Sequence, residues 1–170
     1  MSRHDISTIG QDSHAFDLSF EKGEYMIRLG GIDVKNAYPI SANSDGDVVL
    51  HAITNAVSGF TCRNILGSVA DKMCLEEGIK DSREYLKVGL EDLENMGAKI
   101  LHVSISIECK RPKLSPVIEE MRLSLSKILN IAPSQIGITA TTGEGLTSFG
   151  KGEGIQVFVI MTLSAELPNS

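Results

Sequence analysis

The chain has 170 residues, with 16 Lys and Arg against 22 Asp and Glu, for a net charge of -6. At roughly 100–200 residues per domain this length predicts one domain spanning the whole chain, with a core large enough to need no disulfide or metal staple. The acidic balance, 5% aromatic content and lack of Trp exclude a general nucleic-acid binder, which takes its affinity from basic residues on phosphates and rings on bases. The apolar-rich stretch at 155–163 is shorter than the ~20 residues that span a bilayer, so no membrane partner is expected. The opening MSRHDISTIG lacks the apolar run of a secretory signal, and a cytoplasmic location is expected. Three cysteines, Cys62, Cys74 and Cys109, make an odd set with no CxxC spacing and read as reduced thiols.

Turn signals punctuate the chain without dividing it. Residues 6–10 read as a short strand, and 24–35 as strand, Gly-Gly turn, strand. A helix follows Ser44, with Val48, Val49, Ala52, Ile53, Ala56 and Val57 on one face. Asp47, three residues after Ser44, suggests a near capping box, and Gly59 suggests the stop. Residues 60–80 look irregular, with a short helix near 69–75. A second long helix is predicted over 82–96, capped by Asp81 or Ser82 and ended by Gly97. Residues 100–108 alternate cleanly, with Val103, Ile105 and Ile107 facing one way and His102, Ser104, Ser106 and Glu108 the other, which predicts a half-buried strand. A third helix is predicted over 116–129, a strand over 135–141, a Gly-rich connection over 143–154 and a last strand over 155–163. This order predicts an α+β two-layer domain with helices on one face of a mixed sheet.

Several groups of residues carry potential chemistry. In Asp12-Ser13-His14 an extended backbone would turn the carboxylate and the imidazole to the same side. His51 lies in the predicted first helix among apolar neighbours. Taken alone, a hydrogen-bonded core histidine explains it better than a third ligand, yet Asp, His and His with an open fourth position would suit a catalytic zinc. Asn43-Ser44-Asp45-Gly46-Asp47 opens a helix, where free N–H groups either bind phosphate or are capped. Two aspartates there would repel an anion unless a cation intervened. Thr139 to Gly145, straight off a strand, offers hydroxyls and amides to a phosphate, and Glu144 a carboxylate to Mg²⁺. The glycines at 150–154 fit a tight turn equally well, and the basic cluster Lys110-Arg111-Pro112-Lys113 fits either a solvated loop or a diphosphate contact.

Together the segments IGQDSHAF (9–16), SDGDVVLHAITNA (44–56), DSREYL (81–86), RPKL (111–114), TATTGEGL (139–146) and GKGEGI (150–155) resemble the 2-C-methyl-D-erythritol 2,4-cyclodiphosphate synthase family, in the family's order and over nearly the whole chain. The resemblance implies a bacterial, cytoplasmic homotrimer with sites at subunit interfaces. It implies a reaction that turns 4-diphosphocytidyl-2-C-methyl-D-erythritol 2-phosphate into the cyclic diphosphate and CMP. It places one zinc per chain on Asp12, His14 and His51, and Mg²⁺ or Mn²⁺ on Glu144. The catalytic positions fall on Thr142 and Glu144. The substrate contacts fall on Asn43, Ser44, Gly67, Asp71, Thr141, Thr142 and Lys151, with a cytosine-pocket loop at Cys109, Arg111, Pro112, Lys113, Leu114 and Ser115.

The chain also departs from the family pattern. Asn43 stands where most members have His, Ser148 stands near a family Phe, and Lys151 replaces an Arg that faces the trimer cavity. Lys keeps the charge and loses the bidentate fork. Residues 62–73 replace an Asp-rich loop. Gly67 is kept by spacing, Ile65 and Lys72 fall where aspartates are usual, and Asp71 substitutes by a shift of one. These changes keep two other readings in view: a non-catalytic trimer that binds nucleotide or isoprenoid diphosphate, and a zinc-dependent phosphohydrolase.

Overall fold

The computed structural model describes residues 3–166. They form six strands: β1 (Arg3–Ala15), β2 (Tyr25–Leu29), β3 (Ile32–Asn36), β4 (Lys99–Glu108), β5 (Ile136–Thr141) and β6 (Gly154–Glu166). Five α-helices accompany them: α1 (Val48–Thr61), α2 (Ala70–Leu75), α3 (Ser82–Asn95), α4 (Ile118–Leu129) and α5 (Ser148–Lys151). A mixed sheet runs in the order β1-β6-β4-β5, and β2-β3 is a separate hairpin. β4 and β5 are parallel, so the chain must cross over between them, and α4 makes that crossing.

The sheet has one covered and one open face, as the alternation in β4 predicts. Val103, Ile105 and Ile107 are buried while Ser104 and Ser106 are exposed. β6 repeats the pattern, with Ile155, Val157, Val159, Met161 and Leu163 turned into the core. The predicted apolar face of α1 is wholly buried in the same core, and the α+β architecture with helices over one sheet face is as expected.

Several boundaries differ from the sequence reading. β1 is longer than 6–10 because it pairs with β6 along its length, from Arg3↔Glu166 to Ala15↔Gly154. α1 does not stop at Gly59. It runs to Thr61, with buried Phe60 anchoring the last turn, and closes on Cys62 in the left-handed region at φ 58. Its cap is Asp47, which accepts the Leu50 N–H at 3.0 Å, and Ser44 instead accepts the Gly46 N–H at 3.2 Å. α4 begins at Ile118 because the N–H groups of Val117 and Ile118 turn back to the Leu114 carbonyl. The Gly-rich connection holds an unforeseen short helix, α5, closed by Gly152 at φ 91, so its glycines do form a tight turn.

Two glycine features set the distances that matter for the site. Gly30 and Gly31, both at positive φ (62 and 79), make the β2-β3 turn, a conformation that side chains disfavour. Gly10 lets α1 lie directly on β1: a Cβ there would stand 1.9 Å from the Ala52 carbonyl oxygen and 2.5 Å from the Ala56 nitrogen. These are backbone atoms of a helix and cannot swing aside. Gly10→Ala is therefore expected to lose about 3 kcal/mol of stability by urea denaturation, the upper range for overpacking a rigid core. An unchanged midpoint would show that α1 can move off the strand at no cost.

Candidate active site

β1 and α1 build the centre of the site. The pleat puts Asp12 and His14 on one face of β1, and the close approach at Gly10 brings His51, in the first turn of α1, over them. His51 Nδ1 lies 3.0 Å from Asp12 Oδ2, His14 Nε2 lies 3.3 Å from His51 Nδ1, and His14 Nε2 lies 3.4 Å from Asp12 Oδ2. Ligands at about 2.0–2.1 Å in a tetrahedral zinc site stand about 3.4 Å apart. The triangle thus has the size of a metal-binding face, and an oxygen-nitrogen-nitrogen set suits zinc while also accepting Mn²⁺ or Co²⁺. Among the described residues, these three ligand atoms all lie within 4.8 Å of one another. The core-histidine reading of His51 is half right: the ring is buried, but its Nδ1 is aimed at two other ligand atoms.

Burial lowers the His14 pKa from its ordinary value, against the pull of the Asp12 carboxylate, and the His51 ring lowers it further. A lowered value favours the neutral imidazole, the form that binds metal.

The other nitrogen of His51 is engaged too. Nε2 lies 2.8 Å from Ser82 Oγ, at the start of α3. Ser82 Oγ is in turn hydrogen-bonded to Asp45 Oδ1, and the Ser82 N–H donates to Asp45 Oδ2 at 3.1 Å. By sequence alone Ser82 is a candidate helix cap and Asp45 part of an acidic run. Nothing local marks them as a pair, because they meet through tertiary packing.

Asp47 has a different job. It is fully buried and accepts the N–H groups of Gly30 at 2.8 Å, Gly31 at 2.7 Å and Leu50 at 3.0 Å. It pins the hairpin turn to the start of α1. Burial pushes its carboxyl pKa up, and the three donors pull it down. The start of α1 is thus capped from within at the Leu50 N–H.

A cavity of ≈ 670 Å³ opens beside the triad, lined by Asp12, His14 and His51 together with Asn43, Ser44, Gly67 and Asp71. Four predicted substrate positions therefore join the three predicted metal ligands. Asn55, Leu66, Cys74 and Tyr85 also line it and were not foreseen. Cys74 and Leu66 lie in the irregular 60–80 region, where periodicity gives no face to read.

The other predicted positions gather elsewhere, around the C-terminal ends of β4 and β5. The Cys109 N–H donates to the Thr141 carbonyl at 3.0 Å and the Lys110 N–H to the Phe149 carbonyl at 3.0 Å. The Arg111–Pro112 peptide is cis, and the Arg111 guanidinium stands 5.6 Å from the Tyr38 ring centroid. Pro112 and Leu114 are buried, while Lys113, Ser115, Thr141, Thr142, Glu144 and Lys151 are exposed. Thr141 Oγ1 accepts the Gly143 N–H at 3.0 Å, and Glu144 follows in the left-handed region at φ 56. The Cys109 thiol is buried, which pushes its pKa up to about 12. It is a poor nucleophile.

The register shows how the two groups relate. Ser13, Gln156, Glu108 and Thr141 form one row across the sheet. At ~4.8 Å per strand, Thr141 lies about 14 Å from Ser13 at the backbone. Side chains alternate along a strand, so Asp12 and His14 face the helices while the row containing Thr141 faces the open side. Within one chain, the triad and Thr141 share a sheet end but use opposite faces.

Fold and centre together define a class: an α+β protein with a candidate divalent-metal site in a polar cavity at one end of a mixed sheet. The chain belongs to the YgbB family, whose sequence profile matches residues 6–164. A 2-C-methyl-D-erythritol 2,4-cyclodiphosphate synthase of Chlamydia caviae is 47% identical over 156 residues, covering 92% of this chain and 87% of that protein. The structure of the bifunctional IspDF of Campylobacter jejuni superposes with a TM-score of 0.83 at 25% identity over 97% of this chain, which spans 43% of that longer protein. A 2C-methyl-D-erythritol-2,4-cyclodiphosphate synthase in its CDP-bound form matches with a TM-score of 0.75 at 26% identity, covering 93% of this chain and 99% of that one. No helix among the described residues is long and apolar enough to cross a membrane.

Proposed function

We propose that this chain is a phosphorus–oxygen lyase that converts 4-diphosphocytidyl-2-C-methyl-D-erythritol 2-phosphate to 2-C-methyl-D-erythritol 2,4-cyclodiphosphate and CMP. The observation that carries the reading is the Asp12–His14–His51 triangle, set in a polar cavity of a chain 47% identical to a synthase of that name. In the reaction an oxygen of the 2-phosphate attacks the β-phosphorus. The bond from that phosphorus to the bridging oxygen breaks, and CMP leaves with the electron pair. Two anionic groups must meet, so positioning and charge neutralisation are the main demands, and no protein nucleophile is required. The high pKa of the Cys109 thiol accords with that.

Asp12, His14 and His51 would hold one zinc per chain, and Glu144 would hold Mg²⁺ or Mn²⁺ with the substrate's own phosphate oxygens. When bound, these cations supply charge neutralisation and polarisation of phosphate oxygens. Asn43, Ser44, Gly67 and Asp71 face the same cavity and would hold the methylerythritol phosphate. Thr141 and Thr142 would orient the diphosphate. The loop from Cys109 to Ser115 would take the cytosine largely through backbone groups, since Pro112 and Leu114 are turned inward.

The opposite-face arrangement supports a site completed between subunits, as in the homotrimer that the resemblance implies. The open sheet face also carries Ile9, Phe158 and Ile160 at 64%, 43% and 52% exposure, a patch suited to cover by further copies. A single domain over the whole chain and a cytoplasmic location complete the reading.

Incubating the pure protein with the diphosphocytidyl substrate and Mg²⁺ tests it. Cyclic diphosphate and CMP are expected by ³¹P NMR, and sedimentation is expected to give three times the chain mass. Tight binding with unchanged substrate would favour the non-catalytic binder, and linear phosphates would favour a phosphohydrolase.

A further inference from the structure

We infer that Asp45 and Ser82 are positioning residues that fix the His51 tautomer, leaving Nδ1 as a free lone pair aimed at the metal. The inference rests on the metal-site reading above and extends it to residues outside the ligand set.

Proton accounting gives the direction of the chain of hydrogen bonds. Ser82 Oγ has one proton and two neighbours: Asp45 Oδ1 on one side and His51 Nε2, at 2.8 Å, on the other. An ionised carboxylate only accepts, so the serine proton goes to Asp45. The serine oxygen is then left to accept, and His51 must donate from Nε2. The imidazole is thereby the Nε2–H form, and Nδ1 carries a lone pair facing Asp12 Oδ2 at 3.0 Å. In that tautomer no proton lies between these two acceptors, and a cation would satisfy them both. A metal-bound histidine commonly has its far nitrogen tied to a carboxylate or similar partner, and losing that partner costs about 10–100-fold in metal affinity.

Asp45 is well held for this work. Its own N–H donates to the Lys80 carbonyl at 2.9 Å, and its carboxylate accepts the Ser82 N–H at 3.1 Å and the Asp47 N–H at 3.1 Å. It therefore joins the start of α1 to the start of α3, and α3 is the element that carries Ser82. Ser82 and the His51 ring are both buried, so water does not readily replace the missing partner.

Two variants separate this role from simple packing. Ser82→Ala removes only the hydroxyl. Asp45→Asn keeps shape but adds donors: its amide can donate to Ser82 Oγ, freeing the serine proton for His51 Nε2 and driving the ring to the Nδ1–H form. Zinc affinity by chelator competition is expected to fall about 10–100-fold in both. Long-range ¹H–¹⁵N spectra of the metal-free protein are expected to show His51 as Nε2–H in the parent chain and as Nδ1–H in Asp45→Asn. Thermal unfolding of the metal-free forms identifies any variant that fails to fold, and the parent spectrum decides the tautomer regardless. Zinc affinity within twofold of the parent in folded Ser82→Ala, or an Nδ1–H ring in the metal-free parent, would overturn the inference. A parent chain that binds no zinc yet shows the Nε2–H ring would sink the metal-site reading and leave the relay standing.

Discussion

His51→Ala is expected to abolish turnover and leave the purified protein with far less than one zinc per chain. His51 supplies one corner of a three-atom triangle whose other corners, Asp12 Oδ2 and His14 Nε2, are only 3.4 Å apart. Two ligands from neighbouring positions of one strand do not define a closed face. The affinity loss should therefore exceed the ~10–100-fold that removal of an outer partner costs. The substitution also strands Ser82 Oγ and leaves a void under α3, so some stability is lost as well. Circular dichroism and thermal unfolding are the needed controls. Parent-level zinc in a folded His51→Ala protein would show that the ligand assignment is wrong, and parent-level turnover would show that the centre is not where the chemistry occurs.

Glu144→Gln is expected to lower kcat by about 10²–10³, the range for removing one group that stabilises charge in the transition state. Zinc content is expected to stay at the parent level, because Glu144 is absent from the cavity that holds the triad. The Mg²⁺ titration should move to higher concentration or flatten. The amide keeps the size of the carboxyl and removes the charge, and Mg²⁺ depends on one or two carboxylates beside phosphate oxygens. Glu144 is exposed, so its neutralisation should cost little stability. An unchanged Mg²⁺ titration would remove Glu144 from its assigned role. Simultaneous loss of zinc would mean that the two groups are one site.

Much of the architecture was legible because burial on a single face leaves a period in the sequence. The alternation of Val103, Ile105 and Ile107 marks β4, and the spacing of Val48, Ala52, Ile53 and Ala56 marks α1. Asp12 and His14 were legible as a pair for the same reason: on a strand, residues two apart share a side. Element ends were less so. Gly59 carries the usual stop signal, but a buried Phe60 beyond it keeps the helix going. β1 reaches from Arg3 to Ala15 because β6 is there to pair with, and no local pattern announces a partner strand more than a hundred residues away.

The site divides along the same line. Residue types at short spacing nominated Asp12, His14, Glu144 and the threonines before them, and the family resemblance added His51 to the metal set. The apolar setting of His51 pointed instead to the core, and the ring is indeed buried, with Nε2 on Ser82 and Nδ1 aimed at Asp12. What brings them together is the missing Cβ of Gly10, which lets a helix rest on a strand 37 residues away from its histidine's partner.

The sequence alone determined which groups can bind a cation or a phosphate, since that chemistry belongs to each side chain, and which faces turn inward, since water rejects apolar surface everywhere along the chain. Only the tertiary structure decided that Asp47 holds a turn while Asp45, two residues earlier, orients a histidine through Ser82. It alone set the triad and Thr141 on opposite sides of one sheet. Such assignments depend on distances between segments remote in the chain, and those distances exist only once the core has packed.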